Sequence, residues 1–475
     1  MNRRRDEQRS ILVRALARVR DALAWRVDGL RRRLARRVPH NTVLYARTRA
    51  LWSRAPLPPG DFLSVIADDR QDRMHLRRRS DMLGPVFSSL ALGQYCIYVN
   101  DLAIARRLLM ECGHNLHVLT VDIASLVPAG FMRQMIGDVH RQYRKSLARA
   151  VLSHDPVHNL CALEKIAAGA LHEYAHHATA HGNTPDALRD ALRTMATDML
   201  MQLVLGVPSG STHATQLREW FAQLGPRGFV WRIGTAQRHA FTSIASELRA
   251  WLVASEQCGH VSPDAILQRM RNAGTLDDTM LGNLIYMVEM GRHDMASFFR
   301  WILRHAGAHP EALPAIATDR AAMHAPVTSD AFEADKPHAH AFVLETLRRN
   351  QSERLMRRAT CDMTFDGMLI PRGAMIRIGL WEAHHDTTTF DTPAEFAPSR
   401  FLDHPPTAEA FSPFGLDQHL CPFASYVVRL GVIFAEAIAV AWVPTLIADG
   451  PPVVGMNHWE PPAAFSVALE PRTVG

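Results

Sequence analysis

Residues 424–443 form an apolar run long enough to cross a bilayer, and what surrounds it decides what this chain can fold into. Arg429 and Glu436 lie inside the run, and a loop rich in Pro and Gly, beginning at Phe411, leads straight into it. Charges within such a run favour a buried core helix over a membrane span. The loop delivers one cysteine, Cys421, to the mouth of that helix, with His419 two residues before it and Phe414 seven before. A thiol just ahead of a helix is expected to have a lowered pKa, because unpaired N–H groups and the helix dipole favour the thiolate. Such a thiolate can act as a nucleophile or hold a soft metal centre.

With 475 residues, 47% of them hydrophobic, the chain can bury a large core. Its six cysteines are scattered without CxxC or paired spacing, which argues against a disulfide framework or a structural zinc site and fits a reducing, cytoplasmic compartment. Charge is distributed unevenly. The first 50 residues hold 15 Arg against four acidic residues, so the rest of the chain is slightly acidic although the whole carries +6. The body lacks a basic patch interleaved with aromatics, which excludes nucleic acid as its expected partner.

Two regions are expected: a basic amphipathic arm over 1–56 and one large domain over 57–475, divided at the break Leu57-Pro-Pro-Gly60. In the arm Leu12, Leu16, Val19, Leu23, Val27, Leu30 and Leu34 step at helical period among arginines. Residues 10–37 therefore read either as a peripheral contact with an anionic membrane or as a helix packed on the body or a partner. The body is mainly helical with a small β lobe. Val86–Leu92 and Tyr95–Val99 read as strands, a hairpin is expected over 363–379 about Ile370-Pro-Arg-Gly373, and a long helix is expected from a Thr275-x-x-Asp278 capping box to His309.

Further motifs stand in order around the cysteine. Glu345 and Arg348 lie one turn apart in an ExxR, and Arg400 follows in Phe396-Ala-Pro-Ser-Arg-Phe401. Together with Cys421 this set resembles the cytochrome P-450 family, and the resemblance covers roughly residues 60–475. It implies that fold as a single large domain, with haem b (iron protoporphyrin IX) as cofactor and Cys421 as its metal ligand. Glu345, Arg348 and Arg400 match the family's core triad. His140, Arg144, Arg357 and His419 match its propionate-binding positions, and Phe414 stands at the loop position that packs on the cofactor. A guanidinium fork suits a carboxylate at the edge of a buried ring.

The long helix matches the family segment that crosses over the oxygen-binding face. Gly291 stands at the family's Gly, His293 at its acid, and Asp294 at its threonine. The resemblance makes these three the catalytic candidates, with Asp294 carrying protons in place of the hydroxyl. Two further departures lie in the loop: Asp417 and Phe423 occupy positions where the family usually has Gly. Phe423 is thus expected to point away from the cofactor, or else to displace it.

The implied activity is oxygen insertion into a hydrophobic small molecule in secondary metabolism, by a soluble, bacterial-type monomer. Its electrons would come from a separate ferredoxin or reductase, since 54 residues follow Cys421. Leu126, Val127, Phe131, Phe229 and Trp231 are expected to face the substrate. Alternatives are a haem-thiolate peroxygenase, isomerase or dehydratase, favoured by the missing threonine, and a homologue that has lost catalysis and serves as a scaffold for a partner. His172-Glu-Tyr-Ala-His176 is a literal HExxH. It has neither the third histidine of the extended zinc motif nor a following Glu at ligand spacing, and reads as a polar helix face.

Overall fold

The computed structural model describes residues 39–60, 72–91, 93–119, 126–127, 130–154, 156–225, 233–258, 264–322, 335–350, 354–402, 406–455 and 458–472. The arm stripe at 10–37, Phe229 and Trp231 lie outside them.

Helices α1 (Val43–Ser53) and α2 (His75–Leu83) precede strands β1 (Val86–Ala91) and β2 (Gln94–Val99), then α3 (Leu102–Cys112) and β3 (Leu116–Val118). The helical half follows: α4 (Gly137–Ser153), α5 (Leu160–His181), α6 (Pro185–Leu200), α7 (Thr212–Leu224), α8 (Thr235–Cys258), α9 (Ile266–Asn272), α10 (Asp278–Ala308), α11 (Leu313–Ala322) and α12 (Pro337–Asn350). Strands β4 (Arg354–Ala359), β5 (Met363–Phe365), β6 (Met368–Ile370) and β7 (Met375–Gly379) return to the sheet, and the short helix α13 (Leu380–Ala383) leaves it. Helix α14 (Ala424–Ala441) and strands β8 (Trp442–Ala448), β9 (Val453–Val454), β10 (Trp459–Glu460) and β11 (Ser466–Pro471) end the chain.

The apolar run is a core helix. α14 packs against α5, α10, α11 and α12, burying Leu430, Val432, Phe434 and Ile438. Each such side chain contributes about 1.5–3 kcal/mol. Glu436 within it meets Lys336 in an ion pair that is almost wholly buried, so its charge is satisfied inside the protein. The mainly helical body with a small β lobe is as expected.

The β lobe differs from the sequence reading in one turn. A five-stranded sheet runs β1-β2-β7-β4-β3, with β2 and β7 parallel and the other neighbours antiparallel. The 363–379 hairpin does not turn at 370–373. β5 pairs with β6 about Asp366-Gly367, both at positive φ (47° and 73°), while β7 joins the large sheet between β2 and β4. Two consecutive positive φ values make the mirror-image turn that matches strand twist, and Asp-Gly is the dipeptide that accepts it. The cap of α10 also shifts. Asp277, not Thr275, accepts the Met280 N–H (2.7 Å), and the Thr275 hydroxyl bonds the Met270 carbonyl instead. At the start of the described chain α1 lies on this lobe, with Tyr45 and Ala46 buried.

Candidate active site

The site lies where the Cys421 loop, α4, α10 and β4 converge. Glu345 and Arg348 anchor it from α12, neither exposed, in a bidentate pair with two 2.7 Å bonds. Arg400 Nε stands 3.2 Å from Glu345, whose carboxylate also accepts the Ala397 N–H (3.0 Å). Arg348 donates further to the carbonyls of His384, Pro393 and Glu395. One buried charge pair therefore gathers the whole segment leading to the cysteine loop.

In the loop, the Cys421 N–H donates to the Phe414 carbonyl at 3.0 Å, which closes it into a compact turn and half-buries the Phe414 ring against the core. Asp417 adopts φ 63°, the left-handed conformation that Asp tolerates better than most residues. Its carboxylate takes the His419 N–H (2.7 Å) and stands 3.3 Å from Arg357. An acidic residue thus does the conformational work of the usual glycine. Phe423 turns its ring into the main core, 5.7 Å from Tyr426. The expected lowered thiol pKa is not found. Burial pushes Cys421 up, opposed by the Phe423 N–H and by Arg144 and Arg133. Removal from water outweighs the helix terminus, since α14 opens three residues later, at Ala424.

Basic side chains surround one flank of Cys421. His140, 2% exposed, lies 4.5 Å from the His419 ring, and Arg144 donates to the Leu420 carbonyl (2.6 Å). Arg357 is buried and bonds the Met356 carbonyl (3.1 Å). Arg133, which no sequence motif marks, joins them: its charge acts on Arg357's neighbour His419 and on Cys421. His419 is pushed down to about 3 by burial and then by His140, Arg357, Arg133 and Arg144. Nδ1 of His140 is buried without a partner. Five basic groups with Asp417 as a nearby counter-charge, and an orphaned imidazole nitrogen among them, fit a ring carrying two carboxylates. The haem propionates implied by the resemblance are such carboxylates.

On α10 the three catalytic candidates part company. Gly291 packs on α6, where a Cβ would stand 3.1 Å from Leu200. His293 turns to the buried Glu289, 3.1 Å away, which also holds Arg292 (2.8 Å); Arg292 in turn caps the end of α7 through the Phe221 carbonyl (2.7 Å). Asp294 faces the cysteine side. Its side chain is 46% exposed, and its charge acts on Cys421. Burial raises its carboxyl to about 7, with Arg133 opposing and Glu460 adding. Nδ1 of His458, which no sequence signal singled out and which immediately precedes β10, lies 3.7 Å from it.

Val127 and Phe131 pack with Tyr286 of α10, flanked by Leu126, Ile233 and Phe241. Asn283 clamps this segment by accepting the Met132 N–H (2.6 Å) and donating to the Gly130 carbonyl (3.3 Å). Far from here, His172, Glu173 and His176 are all exposed on α5, and among the described residues no group of three His, Cys, Asp or Glu could hold a metal. The HExxH is a solvated helix face.

A mostly helical body, a buried cysteine loop and a basic cradle beside it are what a haem-thiolate protein requires. The cytochrome P-450 family profile matches residues 264–422. Sugiol synthase of Salvia miltiorrhiza is 23% identical over 78% of this chain and 84% of its own, and abscisic acid 8'-hydroxylase 1 of Oryza sativa subsp. japonica is 24% identical over 77% and 80%. Among solved structures, cyanobacterial CYP120A1 with retinoic acid bound superposes with a TM-score of 0.69 at 20% identity, covering 88% of this chain and all of that one. A zebra fish cytochrome P-450 with progesterone gives 0.68 at 17% identity, covering 83% and 98%. Together these matches support a cytochrome P-450 family member, with the family profile over residues 264–422 and the fold of the solved structures.

Proposed function

We propose that the protein is a haem-thiolate monooxygenase that places one oxygen atom of O2 into a C–H or C=C bond of a hydrophobic small molecule. In the hydroxylation case R–H, O2, two electrons and two protons give R–OH and water, with the electrons from a separate ferredoxin or reductase. The observation that carries this is that Cys421 and Asp294 lie close enough to act on each other's charge, with Arg133 of the basic cradle acting on both. When bound, the haem supplies the oxygen activation. Cys421 would hold the iron, Arg133, His140, Arg144, Arg357 and His419 would hold the propionates, and Phe414 would contact the cofactor. Asp294, close to neutrality and beside His458, would hold and pass a proton where the family uses a hydroxyl. Val127, Phe131 and Tyr286 would exclude water and bind the apolar body of the substrate. Abscisic acid, retinoic acid and progesterone, named for the relatives, are of that general kind.

The test is the absorption spectrum of the ferric and the reduced, carbon monoxide-bound protein, with Cys421→Ala as control. A strongly red-shifted Soret band lost in the variant supports the reading, and protein purified without haem refutes it. Asp294 at the threonine position favours a second reading, a haem-thiolate enzyme driven by peroxide or needing no reductant. Product formed with peroxide but not with O2 and reductant would select it. The 10–37 stripe is proposed to rest on an anionic membrane at the cytoplasmic side, and the protein to be a monomer. Failure to co-sediment with anionic vesicles would refute the membrane contact.

A further inference from the structure

We propose that His384 is a positioning residue for the metal ligand, joining the Glu345–Arg348 pair to the cysteine loop through an acceptor nitrogen that only a neutral side chain can provide. It rests on reading Cys421 as the iron ligand. His384 follows directly on α13, and none of it is exposed. Its two polar ends serve different parts of the fold. The carbonyl accepts from Nη1 of Arg348 at 2.9 Å, and ring Nε2 accepts the N–H of Ser412 at 3.0 Å.

Beyond Ser412 the contacts continue without a break. The Ser412 hydroxyl donates to the Gly415 carbonyl (2.8 Å), and the Phe414 carbonyl between them accepts the Cys421 N–H (3.0 Å). The imidazole is wedged against Phe411 (5.1 Å) and edge-on to Phe390 (6.2 Å), and Phe390 also carries the Arg348 guanidinium at 5.2 Å. A ring so confined has little freedom to turn. Each link from Glu345 to Cys421 thus has hydrogen-bond geometry, with His384 as the joint between helix and loop.

The residue type follows from the chemistry. The Ser412 N–H is a partly buried donor directed at the fully buried His384 ring, and without that acceptor its bond is lost. An imidazole accepts on one nitrogen only when it is neutral. Burial, reinforced by Arg348 and Arg106, holds His384 in that state by lowering it to about 3. Gln can accept in the same way. Leu fills the space but leaves the N–H unsatisfied, which frees the start of the loop that carries the ligand.

The experiment uses haem-loaded full-length protein, with His384→Leu, His384→Gln and, as a core control remote from the loop, Leu188→Ala in α6. The readouts are the ratio of thiolate-ligated to thiolate-free reduced carbon monoxide complex and the denaturant midpoint. His384→Leu is expected to lower that ratio roughly tenfold, His384→Gln to stay near wild type, and Leu188→Ala to lose stability with the ratio unchanged. A wild-type ratio in His384→Leu overturns the proposal, as does an equal fall of the ratio in Leu188→Ala at the same loss of stability. If His384→Leu does not fold, amide exchange of the wild type decides. Ser412 exchanging much more slowly than residues 406–410 supports the joint, and equal rates overturn it. A wild type without the red-shifted band overturns the assignment of Cys421 and this proposal with it.

Discussion

Nδ1 of His458 stands 3.7 Å from Oδ1 of Asp294, so a residue near the C-terminal end of the chain faces the helix position where the family carries threonine. Desolvation raises the same carboxyl to about 7, with Arg133 opposing and Glu460 adding from other elements. Turnover that needs the protonated acid is expected to fall as pH rises through about 7. In Asp294→Ala that limb should vanish and kcat should fall about 100-fold, with more reductant consumed per product. A pH–rate profile unchanged by the substitution would remove Asp294 from proton delivery.

Glu345 and Arg348 are both fully buried, and each leaves the other uncompensated when removed. Arg348→Ala is expected to cost about 3–5 kcal/mol and to abolish haem incorporation. Denaturant unfolding and the haem-to-protein absorbance ratio of the purified variant are the measurements.

Phe423 fills core space, although it stands at a position where the family usually has glycine. Restoring that glycine should therefore destabilise the protein. Phe423→Gly is expected to lose about 3–5 kcal/mol while keeping bound haem in the molecules that fold. Tighter haem retention with no loss of stability would show that the ring obstructs the site after all.

Lys336, with none of its side chain exposed, meets Glu436 in the middle of the apolar helix α14. Lys336→Met alone should cost about 3–5 kcal/mol by stranding the carboxylate, while Lys336→Met with Glu436→Leu should recover most of that. A double-mutant cycle with no coupling would contradict the pairing.

Four buried histidines make the fold acid-sensitive. Burial holds His384 and His458 near 3, and His305 and His385 well below 6.5. Below pH 6.5 the unfolded chain binds protons at these sites and the folded one does not. Stability therefore falls as pH falls through that window, by about 1.4 kcal/mol per pH unit for each fully affected site. His305→Gln, which can keep a bond to Asn350, should flatten the slope by that amount, as read from denaturation series at stepped pH.

Much of the site was legible because its residues act within short segments. Glu345 and Arg348 share one helix turn, and Phe414, His419 and Cys421 share one loop, so their spacing alone brings them together. The charges inside 424–443 identified a core helix before any partner was known, because an ionisable group in such a run must be satisfied within the protein. The Asp366-Gly367 turn was also present in the chain, but Pro371 and Gly373 offered a competing turn, and strand pairing with the rest of the lobe decided between them.

What the amino-acid order determined by itself, then, is the local chemistry: a cysteine before a core helix, an ion pair one turn long, and an acid where a hydroxyl is usual. Only the tertiary structure decided which groups meet across distance and what burial does to them. Arg133 and His458 reach the site from distant parts of the chain, with no motif to announce them. Neighbours on α10 go separate ways: His293 turns to Glu289 and Asp294 toward His458, since successive residues on a helix point about 100° apart. The Cys421 thiol is raised because desolvation depends on everything packed around it, which no stretch of sequence contains.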